Sequence, residues 1–257
     1  GDCTESWRNE STHEEAQTNV NRTRTTTLTS DSSEKVFGSM SGNQFSGDYV
    51  RSENQQTDSD RSETTTNGTL RSTSSLESTT AAETSVSGNT HAGDRTTVTQ
   101  FTETVTQSDR TTNGSQATVL TLTDRLSGST NVQSSAVSGS YEEESSVVSE
   151  SERSTVVTQL TERTENETIT RSEASVTETG NRILGHFDRS ATTDTTGETS
   201  EVTTNQHQTR TLTASEASIA TETTTGNKVT GARSGTSVTE SESRLETRLT
   251  NQTLLVS

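Results

Sequence analysis

Histidine is the side chain that most often serves as a catalytic base or a metal ligand near neutral pH. The four histidines of this chain show no ligand spacing. The sequence also contains no serine–histidine–aspartate arrangement, nucleophile elbow or phosphate-binding loop. It therefore predicts that the protein is not an enzyme and has neither a catalytic residue nor a fixed metal centre. The histidines are His13, His91, His186 and His207.

Carboxylates are abundant, and their oxygens are the ligands that Ca²⁺ prefers. The run Asp58-Ser59-Asp60 resembles the start of a calcium loop, but the glycine and the distal glutamate of an EF-hand are absent. An aspartate also follows three of the regularly spaced glycines described below. We therefore expect no cofactor beyond weak Ca²⁺ binding by these aspartates, which are Asp2, Asp48 and Asp94.

Six Asn-x-Ser/Thr sequons make N-linked glycosylation a further expectation. A row of glycans along one edge of the molecule would explain why four sequons recur at one repeat position. Chance is the alternative, because turns are rich in Asn and this chain is rich in Thr, and Asn205-Gln206-His207 breaks the row. O-linked sugar is equally compatible with the composition. The sequons lie at Asn9 and Asn166, and at the shared position in Asn21, Asn67, Asn113 and Asn251.

These residues are positioned by a tandem repeat of 46 residues that is marked by a glycine. A fixed period without insertions indicates that each copy fills an equivalent place in a stack. Because Gly1 falls on a repeat boundary, we expect a mature product or an excerpt of a longer array. The copies are 1–46, 47–92, 93–138, 139–184 and 185–230, with a partial sixth at 231–257, and they begin at Gly1, Gly47, Gly93, Gly139, Gly185 and Gly231.

The composition favours a polar β structure. Thr and Ser make up 99 of 257 residues, only 21% are hydrophobic and the net charge is −17, which approaches the composition of disordered chains. The absence of proline argues against disorder, because a β-ladder needs every backbone N–H as a donor. Alternating segments such as Val119-Leu120-Thr121-Leu122-Thr123 have the period of a strand. The sequence predicts an all-β fold held by backbone ladders more than by a core.

Two turn zones recur along the repeat, at positions 20–21 and 41–43. The second is a small-Gly-Asn triplet, except in copy three, which has Gln133-Ser134-Ser135. The two zones divide the copy into segments of about 20 to 25 residues. Each segment is either one coil of a β-solenoid or part of a hairpin in an elongated, stacked sheet. Immunoglobulin-like domains fit poorly, because 46 residues are about half of such a domain.

Repeat positions 45, 1 and 3 are expected to share one strand face and to form a thin apolar seam around the glycine. The single Cys3 lies at position 3, where other copies have Tyr49, Tyr141 and Phe187. This predicts a space-filling cysteine.

The acidic balance excludes several partners. A sequence pI of about 4.6 is unfavourable for binding nucleic acid or an anionic membrane surface. No apolar run approaches the ~20 residues of a membrane-spanning helix. We expect neither a nucleic-acid nor a membrane partner.

The segment Thr177-Glu178-Thr179-Gly180-Asn181-Arg182-Ile183-Leu184-Gly185-His186-Phe187 resembles a known repeat type, as does the segment from Ser41 to Tyr49. Both are similar to the Thr-rich T-G-N-x-x-x-G-x-Y repeats of very large bacterial surface proteins, including some RHS-associated proteins of planctomycetes. The resemblance implies a secreted, repetitive fibre or stalk at the cell surface, and it carries over no catalytic residue.

The sequence thus predicts a structural segment of an extracellular filament, stalk or surface fibre. Head-to-tail self-association is expected, in which residues 231–257 pair with the Gly1 end of the next subunit. Two alternatives are a binding surface of threonine ladders, of the adhesin or ice-binding type, and a flexible glycosylated spacer.

Overall fold

The protein forms a single open sheet of eleven antiparallel strands that neighbour one another in sequence order. The computed structural model describes residues 1–205 and 208–251, so His207 and the last six residues of the partial sixth copy lie outside the described residues. The strands are β1 (Asp2–Asn21), β2 (Arg24–Asn43), β3 (Asp48–Asn67), β4 (Leu70–Asn89), β5 (Asp94–Asn113), β6 (Gln116–Ser135), β7 (Ser140–Gln159), β8 (Glu162–Asn181), β9 (His186–Asn205), β10 (Gln208–Asn227) and β11 (Arg233–Asn251).

The period of the sequence follows directly from this architecture. Each of the first four copies consists of a strand of 20 residues, a two-residue loop, a second strand of 20 residues and a four-residue turn. The register is the same at every interface: Asn21 lies opposite Arg24, and Arg24 lies opposite Asn67 of the next copy. Each copy therefore widens the sheet by two strands, or about 9.6 Å.

The predicted all-β fold is confirmed, whereas the β-solenoid is not what the structure contains. Coils of a solenoid stack with their strands in parallel, but every strand pair in this sheet is antiparallel. The short loops explain the difference, because a two-residue connection can join only antiparallel neighbours. The 20-residue segments are therefore neighbouring strands of one sheet.

The two-residue loops of copies one to four have a positive φ at their first residue, which is the type II′ pattern. That residue is Gly68 or Gly114 in copies two and three, with φ of 60°, but Arg22 and Leu160 in copies one and four, with φ of 54° and 51°. Side chains with a Cβ adopt this conformation at a cost of about 1–2 kcal/mol. Copies one and four therefore carry backbone strain that copies two and three avoid.

The two faces of the sheet differ in composition. One face is formed by the odd-numbered residues of odd-numbered strands and the even-numbered residues of even-numbered strands, and we call it the leucine face. We call the opposite face the acidic face. The acidic face carries most of the carboxylates, including Glu142, Glu144, Glu150 and Glu152 of β7. All leucines within the strands lie on the leucine face: Leu28, Leu70, Leu76, Leu120, Leu122, Leu126, Leu212, Leu245 and Leu249.

Glycines within the strands provide seats for aromatic rings on the leucine face. The Tyr141 ring covers Gly180 so closely that a Cβ on this glycine would lie 2.8 Å from Tyr141 Cε1. A strand glycine weakens a sheet, and a covering ring offsets part of that cost. The same arrangement recurs in five directly opposite pairs: Trp7–Gly38, Tyr49–Gly88, Phe101–Gly128, Tyr141–Gly180 and Phe187–Gly226.

The sheet buries little apolar surface. Its accessible surface is 17136 Å², whereas a compact protein of this mass exposes about 11,000 Å². Among the described residues, Tyr141 is the only hydrophobic residue that is buried. The strands are held together by their backbone ladders and by side chains that face one another across neighbouring strands.

The loop strain gives a stability prediction. Leu160→Gly should raise the free energy of unfolding by up to about 1 kcal/mol, because glycine adopts positive φ without a steric penalty. Gly114→Leu should lower it by a similar amount. Urea unfolding followed by circular dichroism measures both. Leu184→Gly is the matched control, since Leu184 is also exposed but has no positive φ. Equal effects of the two Leu→Gly changes would contradict the assignment of strain to the loop.

Candidate functional site

The four-residue turns lie along one end of the sheet and contain its most regular side-chain contacts. Each follows repeat position 43, which is an asparagine in four copies, such as Asn181 at the end of β8, and Ser135 in copy three. The Asn181 side-chain oxygen accepts hydrogen bonds from the backbone N–H groups of Ile183 and Leu184, at 2.9 and 2.8 Å. Its amide nitrogen donates to the carbonyl of Ser138 in the preceding turn, at 2.9 Å. One side chain thus closes its own turn and holds the neighbouring one.

The same clasp recurs in three other copies. Asn89 and Asn227 accept two turn N–H groups each and donate to the preceding turn at 2.9 Å. Asn43 accepts from Phe45 and Ser46 of its own turn and donates to Asp2 at 2.6 Å. Copy three has Ser135 instead, whose hydroxyl makes one contact of 3.5 Å with a turn N–H. The clasp is therefore weakest in copy three.

The repeat glycines end these turns. Gly185 has a φ of +83°, and a Cβ there would lie 2.6 Å from Val229 Cγ2 of the next turn. Both the backbone conformation and the close approach require glycine. The backbone ladder also continues through the turns, since the N–H of Thr90 donates to the carbonyl of Gly47 at 2.8 Å and later copies repeat this bond. Positive φ is found at Gly47, Gly93, Gly139, Gly185 and Gly231, while Gly1 precedes β1.

The apolar seam expected at repeat positions 45, 1 and 3 does not form as predicted. Position 45 lies in the turn and not in a strand, and its side chains are largely exposed, as in Phe45 and Ile183. The Gly-Asn triplet is also displaced from the turn: Gly42 and Gly88 still belong to strands, and only the asparagine caps the turn. The polypeptide leaves the sheet at position 44, so positions 45 and 3 cannot share a strand face.

A polar cluster on the leucine face joins four elements near these turns. The Nζ of Lys228 donates to Glu178 Oε1 at 2.6 Å and to the Tyr141 hydroxyl at 3.1 Å. The Tyr141 hydroxyl in turn donates to Glu178 Oε1 at 2.6 Å. Lys228 also lies 5.1 Å from the Phe187 ring centroid and 5.3 Å from that of Tyr141. The cluster holds the turn after β10 against β7, β8 and β9.

The electrostatics of the cluster follow from these contacts. Burial raises the pKa of Glu178, but the hydrogen bonds from Lys228 and Tyr141 and the nearby positive charges outweigh it, so that pKa is lowered. The hydrogen bond to Glu178, and then that to Tyr141, raises the pKa of Lys228. Burial, and then the hydrogen bond to Glu178, raises the pKa of Tyr141. The cluster is therefore a charged lysine–glutamate pair with a protonated tyrosine.

The sequons of repeat position 21 lie at the opposite end of the sheet, where odd-numbered strands end. Asn67 and Asn113 are exposed, and each Oδ1 accepts a bond from a threonine hydroxyl of the preceding loop at 3.0 Å. The amide nitrogen that would carry a glycan is not the bonded atom. Asn21 is exposed at the end of β1, and Asn251 ends β11.

The two remaining sequons lie within strands. Asn9 is exposed in β1, whereas Asn166 is half-buried in β8 between Thr155 and Glu201. Glycosylation at all six sites stays a prediction, with Asn166 the least accessible of those whose burial the structure describes.

The residues considered for metal binding are not brought together. Asp58 and Asp60 lie on the acidic face of β3 and Ser59 on the opposite face, so this run is not a loop. Asp2, Asp48 and Asp94 begin every second strand, about 9.6 Å apart, which is too far for one Ca²⁺ to bridge. His13, His91 and His186 lie on separate elements. Within residues 1–205 and 208–251 there is no group of three or more metal-ligating side chains. Weak Ca²⁺ binding remains a prediction.

Copy three offers a direct test of the asparagine clasp. Ser135→Asn should raise the free energy of unfolding by about 0.5–1.5 kcal/mol, because it supplies the missing acceptor and donor. Asn181→Ala should lower it by a similar amount, and Ser135→Ala is the control with little expected change. Amide hydrogen exchange of residues 136–139 in the Ser135 variants, and of Ile183 and Leu184 in Asn181→Ala, measures the effect locally. Unchanged exchange in Ser135→Asn would contradict the assigned role of the asparagine.

The polar cluster predicts a pH dependence with a definite sign. The lowered pKa of Glu178 makes its contribution present above the ordinary glutamate value and lost as the pH falls through the lowered one. The raised pKa values of Tyr141 and Lys228 make theirs present below the ordinary values and lost in alkali. The full contribution, up to about 1 kcal/mol, therefore falls between about pH 4 and pH 10.

Glu178→Gln should lower the urea midpoint within this range, and the difference from the unmodified protein should vanish in acid. Glu173→Gln is the matched control on the same strand, because Glu173 pairs only with exposed Arg171 at 3.6 Å. A Glu178→Gln difference that persists unchanged in acid would show that the carboxylate charge does not act in the cluster.

Comparisons with known proteins identify no relative in sequence: no family model matches the chain, and no curated protein is similar to it. Among solved structures, the β domain of the Bordetella autotransporter BrkA is similar over 93% of this chain and 97% of its own, with 9% identity and a TM-score of 0.27. The Pseudomonas aeruginosa proteins OccK11 (OpdR) and OccK5 (OpdH) cover 96% and 95% of this chain, and 96% and 98% of their own, each at 7% identity with TM-scores of 0.11 and 0.13. Similarities at this level carry no argument about this chain. The described part has no helix of sufficient length and apolarity to cross a membrane.

Proposed function

We propose that this chain is a non-enzymatic structural segment of an extracellular filament, stalk or surface fibre. The observation that carries the proposal is the invariant register from copy to copy. Because each copy adds two strands in the same register, copies can be added without altering those already in place. A sheet of this kind extends in one direction only, as a fibre requires.

The acidic face supports a position exposed to solvent. Glu14, Asp31, Asp60 and Glu77 lie directly opposite one another on four successive strands. Like charges in this arrangement repel one another and destabilise the single sheet. The same carboxylates prevent two acidic faces from approaching each other, which keeps separate sheets from aggregating through this face.

Head-to-tail self-association remains part of the proposal, and the topology constrains its geometry. Strands β1 and β11 run in the same direction, because an even number of reversals separates them. If β11 paired with β1 of a second chain while the faces stayed aligned, the new pair would be parallel. An antiparallel pair would exchange the leucine and acidic faces across the junction.

Threonine ladders are less regular than a flat binding surface requires. On the acidic face, the row that joins Thr25 and Thr66 continues to Arg71, and the row that joins Thr209 and Thr204 continues to Arg163. The arginines interrupt both rows. This observation favours the structural role over an ice-binding or adhesive face.

Electron microscopy and fibre diffraction of the native material test the proposed function. We expect ribbons or filaments with a ~4.8 Å repeat that corresponds to the strand spacing. An axial repeat of about 9.6 Å, from two strands in each copy, should be present as well. Isolated chains with a random-coil circular dichroism spectrum would overturn the proposal and would favour a flexible, glycosylated spacer.

A further inference from the structure

We infer that the leucine face is a self-association surface, on which the leucine face of a second copy packs to form a two-layered sheet. The inference deepens the proposed structural role, because it names the partner of the sheet. When one face of a sheet is more apolar than the other, the sheet is stable if another layer covers the more apolar face. In the single chain, neither face has a covering layer.

The asymmetry between the faces is the first supporting observation. The leucine face holds every strand leucine, the five aromatic rings seated on glycines, and Met40. On β8, from Glu167 to Gly180, residues of the leucine face are half-buried and those of the acidic face are exposed. The leucine-face side chains already shelter one another, which indicates a surface that is partly withdrawn from water.

A central apolar row is the second supporting observation. Directly opposite residues at the middle of the leucine face form a stripe that crosses from β2 to β10. Only Gln55 and Thr193 interrupt it, and neither is charged. Apart from Phe101, whose ring lies over Gly128, the apolar members are small or moderate in size, so a second sheet can approach closely along the stripe. They are Val36, Ala82, Phe101, Gly128, Val147, Ala174 and Ala220.

The available area is the third supporting observation. Strands of 20 residues and eleven strand positions give a face of roughly 65 by 50 Å, or about 3,000 Å². A stable interface needs only about 800 Å² from each partner. Contact over one third of the leucine face would therefore suffice, and the remaining polar residues could stay solvated at the rim.

The acidic face cannot serve the same purpose. Its opposed carboxylates, Asp31 and Asp60 among them, would meet those of a second copy and repel them. The leucine face carries fewer carboxylates, and arginines such as Arg51, Arg61 and Arg153 accompany them. Electrostatics and burial of apolar surface thus select the same pairing.

Two pairs of substitutions separate the faces. Leu76→Lys with Leu122→Lys places two cations on the leucine face, on β4 and β6, because both residues lie opposite Gln107 of the intervening strand β5. Val148→Lys with Ile169→Lys makes the same change of charge on the acidic face. Both variants lower the net negative charge, so weaker association of the first cannot come from overall repulsion. Circular dichroism of each variant verifies that the sheet still forms.

Sedimentation velocity across a wide concentration range measures association, and small-angle scattering measures thickness. We expect the unmodified chain to associate into particles two sheets thick, with the layers about 10 Å apart. The leucine-face variant should associate at least about a hundredfold more weakly, and the acidic-face variant should associate as the unmodified chain does. The single Trp7 lies on the leucine face, so its fluorescence should shift to the blue on association of the unmodified chain.

Particles one sheet thick at every concentration would overturn the inference, as would equal weakening by both variants or an unchanged leucine-face variant. Assembly that proceeds only through the strand edges would give single-layered ribbons and no fluorescence shift, which overturns the face pairing and leaves the fibre proposal standing. Folded chains that pair through the leucine face without forming fibres would support the face pairing and overturn the fibre proposal.

Discussion

The lengths of the two connections in each copy are the constraint on which the whole sheet depends. In the first four copies, a loop of two residues and a turn of four residues return the chain to the same register after each pair of strands. If either connection gained or lost one residue, every later strand would shift by one position and exchange its faces. The rings seated on glycines, the asparagine clasps and the separation of leucines from carboxylates all require the constant register. The regular spacing of glycine in the sequence is the visible record of this requirement.

The balance of forces differs from that of an ordinary globular protein. With one buried hydrophobic residue among those described, the chain cannot depend on a core of its own. Its strands are instead held by long backbone ladders, by cross-strand contacts and by side chains that connect successive turns. The polar cluster at Tyr141 shows how this works locally, since one lysine from a turn contacts Tyr141 and Glu178 on two strands and the ring of Phe187 on a third strand. Stability accumulates from contacts between neighbours, so each copy depends mainly on the next.

Much of this could be predicted from the sequence, and the failures have physical reasons. The period, the absence of proline and the alternation of Thr with apolar residues predicted β structure, because each reports on local geometry. The choice between a solenoid and an antiparallel sheet was not predictable in this way, since both use strands of similar length between turns. The exact turn residues were also missed: Gly42 looks like part of a turn beside Asn43, but it is a strand residue whose lack of a side chain makes close packing with Tyr49 possible.

The cluster of Tyr141, Glu178 and Lys228 could not be found by inspection of the repeat, because no other copy has this combination and its members are up to 87 residues apart. The asparagine clasp was easier to predict from the sequence. The asparagine recurs at one position in four copies, and a side chain that can both accept from a turn and donate to its neighbour was the available signal. What the sequence lacked was the strand register that places one turn beside the previous one.

The meander has a mechanical consequence. The chain enters the sheet at one edge and leaves at the other, so tension applied through its ends acts across the strands and along their hydrogen bonds. Under such a load, an edge strand peels away one bond at a time, and its neighbour becomes the new edge. Each strand released in this way adds about 65 Å of extended chain while the remainder of the sheet keeps its register. A sheet with this topology therefore lengthens in equal steps under load, one strand at a time.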